Sequence, residues 1–234
     1  MQKRTYLFIG LGVLILAAII AAGVFLIVKH EKNKYANFKD PKLTNQELAD
    51  VDKKISQLES DIAKKKPTVD MNNQDQKADL FKLEMSLEAN YRLRGRLADA
   101  KNALNEAIKL LPDNVSPYSD LYLIELERGD NDAALAAIQK AISINPDSGQ
   151  FWRFYLDLQA GQFHKTPTEM KAYYKEALDK SHNNSDVVAL YAQYLESQND
   201  LVGAVNQWKL AMSQNPAGAA QYQAEITRIQ DKLK

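Results

Sequence analysis

Ala100, Ala107 and Pro112 recur as Ala134, Ala141 and Pro146, 34 residues further along the chain. They recur again as Ala204, Ala211 and Pro216, two such steps plus two residues beyond. A fixed 34-residue period marks a chain of stacked helix pairs, each too small to bury its apolar face alone. The residue types fit that geometry. Alanine lets two antiparallel helices approach closely, and bulkier neighbours fill the seam between one pair and the next. Proline ends the second helix, because it lacks the N–H and its ring clashes with the preceding turn.

The first unit spans 81–114, with Leu87, Tyr91, Gly95, Leu97, Ala100, Leu104, Ala107 and Pro112 in register and Glu88 where a small residue is expected. The second spans 115–148 and carries Tyr118, Leu121, Gly129, Ala134, Ile138, Ala141 and Pro146, with Tyr122 and Glu125 as departures. Gly95 and Gly129 are the expected turns between paired helices, where glycine accepts a left-handed C-cap. The third unit, 149–184, diverges: Trp152, Tyr174 and Ala177 fit, Met170 replaces a small residue, His182 replaces proline, and the loop 161–165 carries the extra two residues. Thr166-Pro167-Thr168-Glu169 reads as a capping box with proline at the first helical position. The fourth unit, 185–218, restores the pattern through Val188, Tyr191, Ala192, Leu201, Ala204, Trp208, Ala211 and Pro216.

This pattern resembles the tetratricopeptide repeat family over residues 77–218. The resemblance implies an all-α fold, a right-handed α-solenoid of antiparallel helix pairs, in which the first helices line a groove for a protein or peptide partner. Mapped onto that groove, the first unit contributes Lys82, Met85, Ala89 and Arg92, and the second Ser116, Ser119, Leu123 and Leu126. The third contributes Gln150, Arg153 and Asp157, and the fourth Asp186, Ala189, Gln193 and Glu196. The groove is expected to be basic at its first unit and acidic at its last, a polarity that orients a bound segment. A solvated inner face without a specific ligand is the competing reading. The family's clamp for chaperone C-terminal carboxylates is not expected, because Met85 and Ala89 stand where it uses Lys and Asn. Residues 219–234 read as a capping helix: Tyr222, Ile226, Ile229 and Leu233 share one side, and polar residues back it.

The N-terminal part has a different character. After a basic tail, 1–5, Tyr6 to Val28 is 23 residues without a charge. As a helix it covers about 35 Å, enough for a bilayer core of about 30 Å. It is expected to be a single transmembrane helix contacting lipid. The rival is a cleaved signal peptide, whose apolar region is usually shorter, about 7–15 residues. Orientation divides the signals. Lys29, Lys32, Lys34, Lys39 and Lys42 favour a cytoplasmic C-terminal side, whereas a short basic tail before one N-terminal span favours export. Export of the array from an inner membrane is expected, and the cytoplasmic arrangement stays open.

A juxtamembrane linker, 29–44, leads to a helix over 45–66. In it Leu48, Val51, Ile55, Leu58 and Ile62 make a heptad seam. Packing of this seam on the first repeat is expected. A short coiled coil is the alternative, although two heptads fall below the three or four that define one. Residues 67–76 form a polar break.

Composition removes other classes. There is no cysteine, so thiolate catalysis, disulfides and Cys-ligated zinc are excluded. The formal net charge is zero, which offers no nucleic-acid signal. His30, His164 and His182 lack ligand partners at metal spacing, and no phosphate loop or nucleophile elbow occurs. No cofactor, metal or catalytic residue is expected. The chain reads as a membrane-anchored adaptor or scaffold of a bacterial envelope complex. Self-association, or a holdase role toward extended clients, is the alternative.

Overall fold

The computed structural model describes residues 43–233 of the chain. The basic tail, the span Tyr6–Val28, the linker up to 42 and the terminal Lys234 lie outside the described residues. Among the described residues there are ten α-helices and no strand: α1 (Asn45–Lys65), α2 (Gln74–Leu93), α3 (Leu97–Leu110), α4 (Ser116–Arg128), α5 (Asn131–Ile144), α6 (Gly149–Gly161), α7 (Pro167–Lys180), α8 (Ser185–Ser197), α9 (Leu201–Gln214) and α10 (Ala219–Lys232). No described helix is long and apolar enough to cross a membrane. Helices α2 to α9 form four antiparallel pairs, α2/α3, α4/α5, α6/α7 and α8/α9.

The repeated alanines sit where the helices cross. Ala100, Ala107, Ala134, Ala141, Ala177, Ala192, Ala204 and Ala211 are all fully buried. A methyl side chain at each crossing lets the backbones close up, and a larger one has no free volume to enter. Bulky residues fill the spaces between, chiefly Leu104, Ile138, Trp152, Tyr174 and Trp208. Aromatic side chains also tie one pair to the next. Tyr118 Oη donates to the Pro112 carbonyl at 3.0 Å, and Trp152 Nε1 donates to the Pro146 carbonyl at 2.7 Å. The same step in the repeat therefore pairs an aromatic donor with the carbonyl of the proline just past the helix C-cap, twice over.

The turns follow the local chemistry. Gly95 has φ +74° and Gly129 φ +79°, the left-handed conformation that glycine adopts without a Cβ penalty. In the fourth unit Asn199 takes that position at φ 60°, the non-glycine residue type best suited to it. The Thr166/Glu169 capping box forms with Pro167 in the first turn. A second capping box, Thr44 with Glu47, starts α1. Asp130 and Asp200 cap α5 and α9 through their side-chain oxygens.

Helix α1 lays its heptad seam on α2. Ile55, Leu58 and Ile62 are buried in one cluster with Leu80, Leu87 and Tyr91. Arg94 binds Asp52 at 2.8 Å and Tyr91 Oη donates to Glu59 at 2.6 Å, fixing the register. The seam is thus spent inside the chain and is not a free coiled-coil face.

At the other end α10 packs on α9 through Tyr222, Ile226 and Ile229. These occupy the register of a fifth unit's first helix, so α10 closes the array by imitating the next repeat. Leu233, assigned by spacing to the same face, is 50% exposed. It is the C-cap residue, one position past the last turn of α10.

Candidate functional site

The first helices of the units, α2, α4, α6 and α8, lie side by side. Tyr122 of α4 stacks on Phe154 of α6 with ring centroids 4.9 Å apart, and its hydroxyl donates to the Phe154 carbonyl. Helices α6 and α8 meet directly. Glu196 of α8 then reaches α10. These contacts join α4, α6 and α8, and Leu80 and Leu87 of α2 share a buried cluster with Ile124 of α4; the residues mapped from the sequence lie on these four helices.

The mapped side chains differ in what they offer. On α2, Lys82 is exposed and pairs with Asp79 at 3.5 Å, Ala89 is exposed, and Met85 and Arg92 are half-buried. On α4, Leu123 and Leu126 are half-buried against the central cluster, and Ser119 spends its hydroxyl on the Ser116 carbonyl at 2.9 Å. On α6, Gln150 and Arg153 are exposed and Asp157 is half-buried. On α8, Asp186 and Gln193 are exposed and Ala189 is half-buried. The middle of the face is therefore partly apolar, through Leu123, Leu126 and Phe154, with charged groups on either side.

Glu196 is different. Arg228 of α10 grips it with two hydrogen bonds, 2.7 and 2.6 Å, and Lys232 adds a third at 2.8 Å. The Arg228 guanidinium holds the Glu196 carboxyl down at about 2, well below the usual carboxylate range, and Lys232 adds to that. The acidity expected at this end is to that extent neutralised within the protein. The capping helix uses it.

Three buried acids make a second feature: Glu88 and Glu125, which the repeat pattern registered as departures, and Glu84, which the sequence reading did not single out. Glu84, Glu88 and Glu125 are 4%, 3% and 1% exposed. Glu125 is compensated by Lys101 at 2.5 Å and Arg128 at 3.3 Å. Burial pushes the Glu84 carboxyl up, with Lys66 nearby acting against it. Burial pushes Glu88 up to about 7; repulsion from Asp120 adds to this and Arg92 opposes it. Asp120 on α4 is itself raised by burial. The signal was present in the sequence as an acid at a small-residue position, but burial and the neighbour across the seam were not.

No group of three or more His, Cys, Asp or Glu among the described residues is arranged to hold a metal ion. His182 Nδ1 lies 3.4 Å from Asp147 on an exposed surface, and His164 is exposed in the loop before α7.

No family model and no curated protein sequence matches the chain. Among solved structures it is similar to MamA, with a TM-score of 0.43 and 14% identity over 64% of this chain and 81% of that one. It is similar to PilW, a widely conserved type IV pilus biogenesis factor, with a TM-score of 0.41 and 20% identity over 57% of this chain and 61% of that one. It is also similar to YrrB, a TPR protein with an unusual peptide-binding site, with a TM-score of 0.39 and 14% identity over 63% of this chain and 74% of that one.

Proposed function

We propose that this chain is an adaptor: a helical-repeat array that holds a protein or peptide along the face of α2, α4, α6 and α8, tethered to a bilayer by Tyr6–Val28. The observation that carries the reading is the composition of that face. Leu123, Leu126 and Phe154 are half-buried apolar side chains, and exposed Arg153 and Asp186 stand beside them on neighbouring helices. Apolar contact supplies affinity for an extended or helical segment, and the flanking charges select its direction. The uncharged 23 residues from Tyr6 support the tether, since a chain held at a membrane meets membrane-bound partners at raised effective concentration. Export of the array, and assembly of a bacterial envelope complex, complete the proposal.

Two measurements test it. Protease treatment of intact and permeabilised cells, reading a C-terminal tag, should remove the tag in intact cells once outer layers are stripped. Protection until permeabilisation would put the array inside and discard the envelope assignment. A photo-crosslinking residue at Leu123 should then trap one defined partner, whereas one at exposed Lys140 on α5 should not. Equal trapping at both positions would reject the face as the binding surface. A ladder of many partners at Leu123 would favour the holdase reading.

A further inference from the structure

Glu88 sits at the unit position that Ala192 fills in the fourth unit, a site of close helix approach. A carboxylic acid there is 3% exposed, and its Oε1 has no hydrogen-bond partner among the described residues. Burying a carboxylate without a partner costs far more than burying the neutral acid. The charged groups around it do not remove that cost. Asp120 of α4 repels it, and Arg92, one turn along α2, attracts it. On α1, Asp52, Glu59 and Lys65 are engaged with Arg94, Tyr91 and Asp79. On α3, Asp99 is engaged with Arg96, Lys101 with Glu125, and Glu106 with Lys66 and Lys109.

We propose that the seam between the first two helix pairs is a proton-operated latch, packed while Glu88 carries its proton and loosened when Glu88 ionises against Asp120. The elevation of the Glu88 carboxyl to about 7 sets the window. In an opened or unfolded chain this group releases its proton near 4.3. Between those values the packed form binds the proton that the open form has lost. Stability of the seam is therefore greatest at low pH, falls as pH rises toward 7, and levels off above it. The latch concerns α2 and α4 themselves and does not depend on a partner or on a membrane.

The test is amide hydrogen exchange on the full-length chain in detergent micelles, from pH 5.5 to 8.5, with rates normalised to the intrinsic exchange at each pH. Segments of α2 and α4 should lose protection by roughly thirtyfold between pH 5.5 and 8.5, most of it below pH 7, because the open form has already released the proton that the packed form keeps. Segments of α8, α9 and α10 should keep theirs. Glu88→Gln should flatten the α2 and α4 profile. Asp120→Asn, which leaves Glu88 in place, should move its midpoint to lower pH by removing the repulsion. A wild-type profile that is flat, or shared equally by α8 to α10, overturns the latch. So does a midpoint unmoved by Asp120→Asn, and this comparison remains decisive if Glu88→Gln does not fold.

Discussion

Gly149 opens α6 with its backbone against α8, and replacing it with alanine tests how tightly the third and fourth units are joined. A Cβ built there would lie 2.4 Å from the Cβ of Asp186 and 3.2 Å from its Oδ2. Carbon atoms in contact prefer about 3.5–4.0 Å, so the two helix N-termini must separate by more than about 1 Å. Both Cβ positions are set by the backbone, and no rotamer change relieves the clash. Overpacking of this kind costs about 1–3 kcal/mol. Alanine also returns some stability, up to about 1 kcal/mol in a helix interior and less in a first turn, because glycine has more freedom to lose. The expected net effect of Gly149→Ala is a loss of roughly 1–2 kcal/mol. Urea denaturation of the full-length chain in micelles reads it, with Trp152, three residues along, as the fluorescent reporter. Asp186→Gly in the same chain should recover most of the loss, and the coupling of the two changes measures the contact directly. If Gly149→Ala is as stable as the parent, or more so, α6 and α8 do not approach as described.

Two other perturbations address the ends of the array. Ile55→Asp places an unpaired carboxylate at a site 2% exposed and should release α1 from α2, exposing α1 to limited proteolysis while the array from Gln74 onward stays helical by circular dichroism; continued protection of α1 would show that its seam is not buried there. Arg228→Ala removes two hydrogen bonds to Glu196 and should cost about 1 kcal/mol at neutral pH. The pH dependence has a defined sign: the Glu196 carboxyl is depressed to about 2, so its contribution is complete above the unfolded value near 4.3 and is lost as pH falls through about 2. In the variant that loss should be smaller and finish nearer pH 4, and denaturation midpoints measured from pH 2 to 7 would expose it.

Much of the array could be read from local rules. The Gly95 and Gly129 turns and the Thr166 capping box act within a few residues of themselves and are found as the local pattern requires, and the alanines are buried as their 34-residue recurrence requires. The heptad spacing of α1 was legible too, but spacing alone admits a partner helix from another chain or from this one. Only the placement of Leu80, Leu87 and Tyr91 opposite the seam assigns it to α2.

The face proposed for a partner shows the same division. Its residues follow from the repeat register, which is why Lys82, Arg92, Leu123, Arg153 and Asp186 fall on successive first helices. Their chemical state does not follow. Glu196 is taken up by Arg228, 32 residues later in the sequence. Glu88 is buried near Asp120, also 32 residues away, and loses its ordinary acidity there. Periodicity is a one-dimensional property, and it determined which residues share a helix side and where each helix starts and stops. Burial, repulsion and pairing depend on distances between residues about one repeat apart. Those distances exist only once the helix pairs have stacked, so the tertiary structure alone decided which acids are neutralised, which are buried at a cost and which remain exposed.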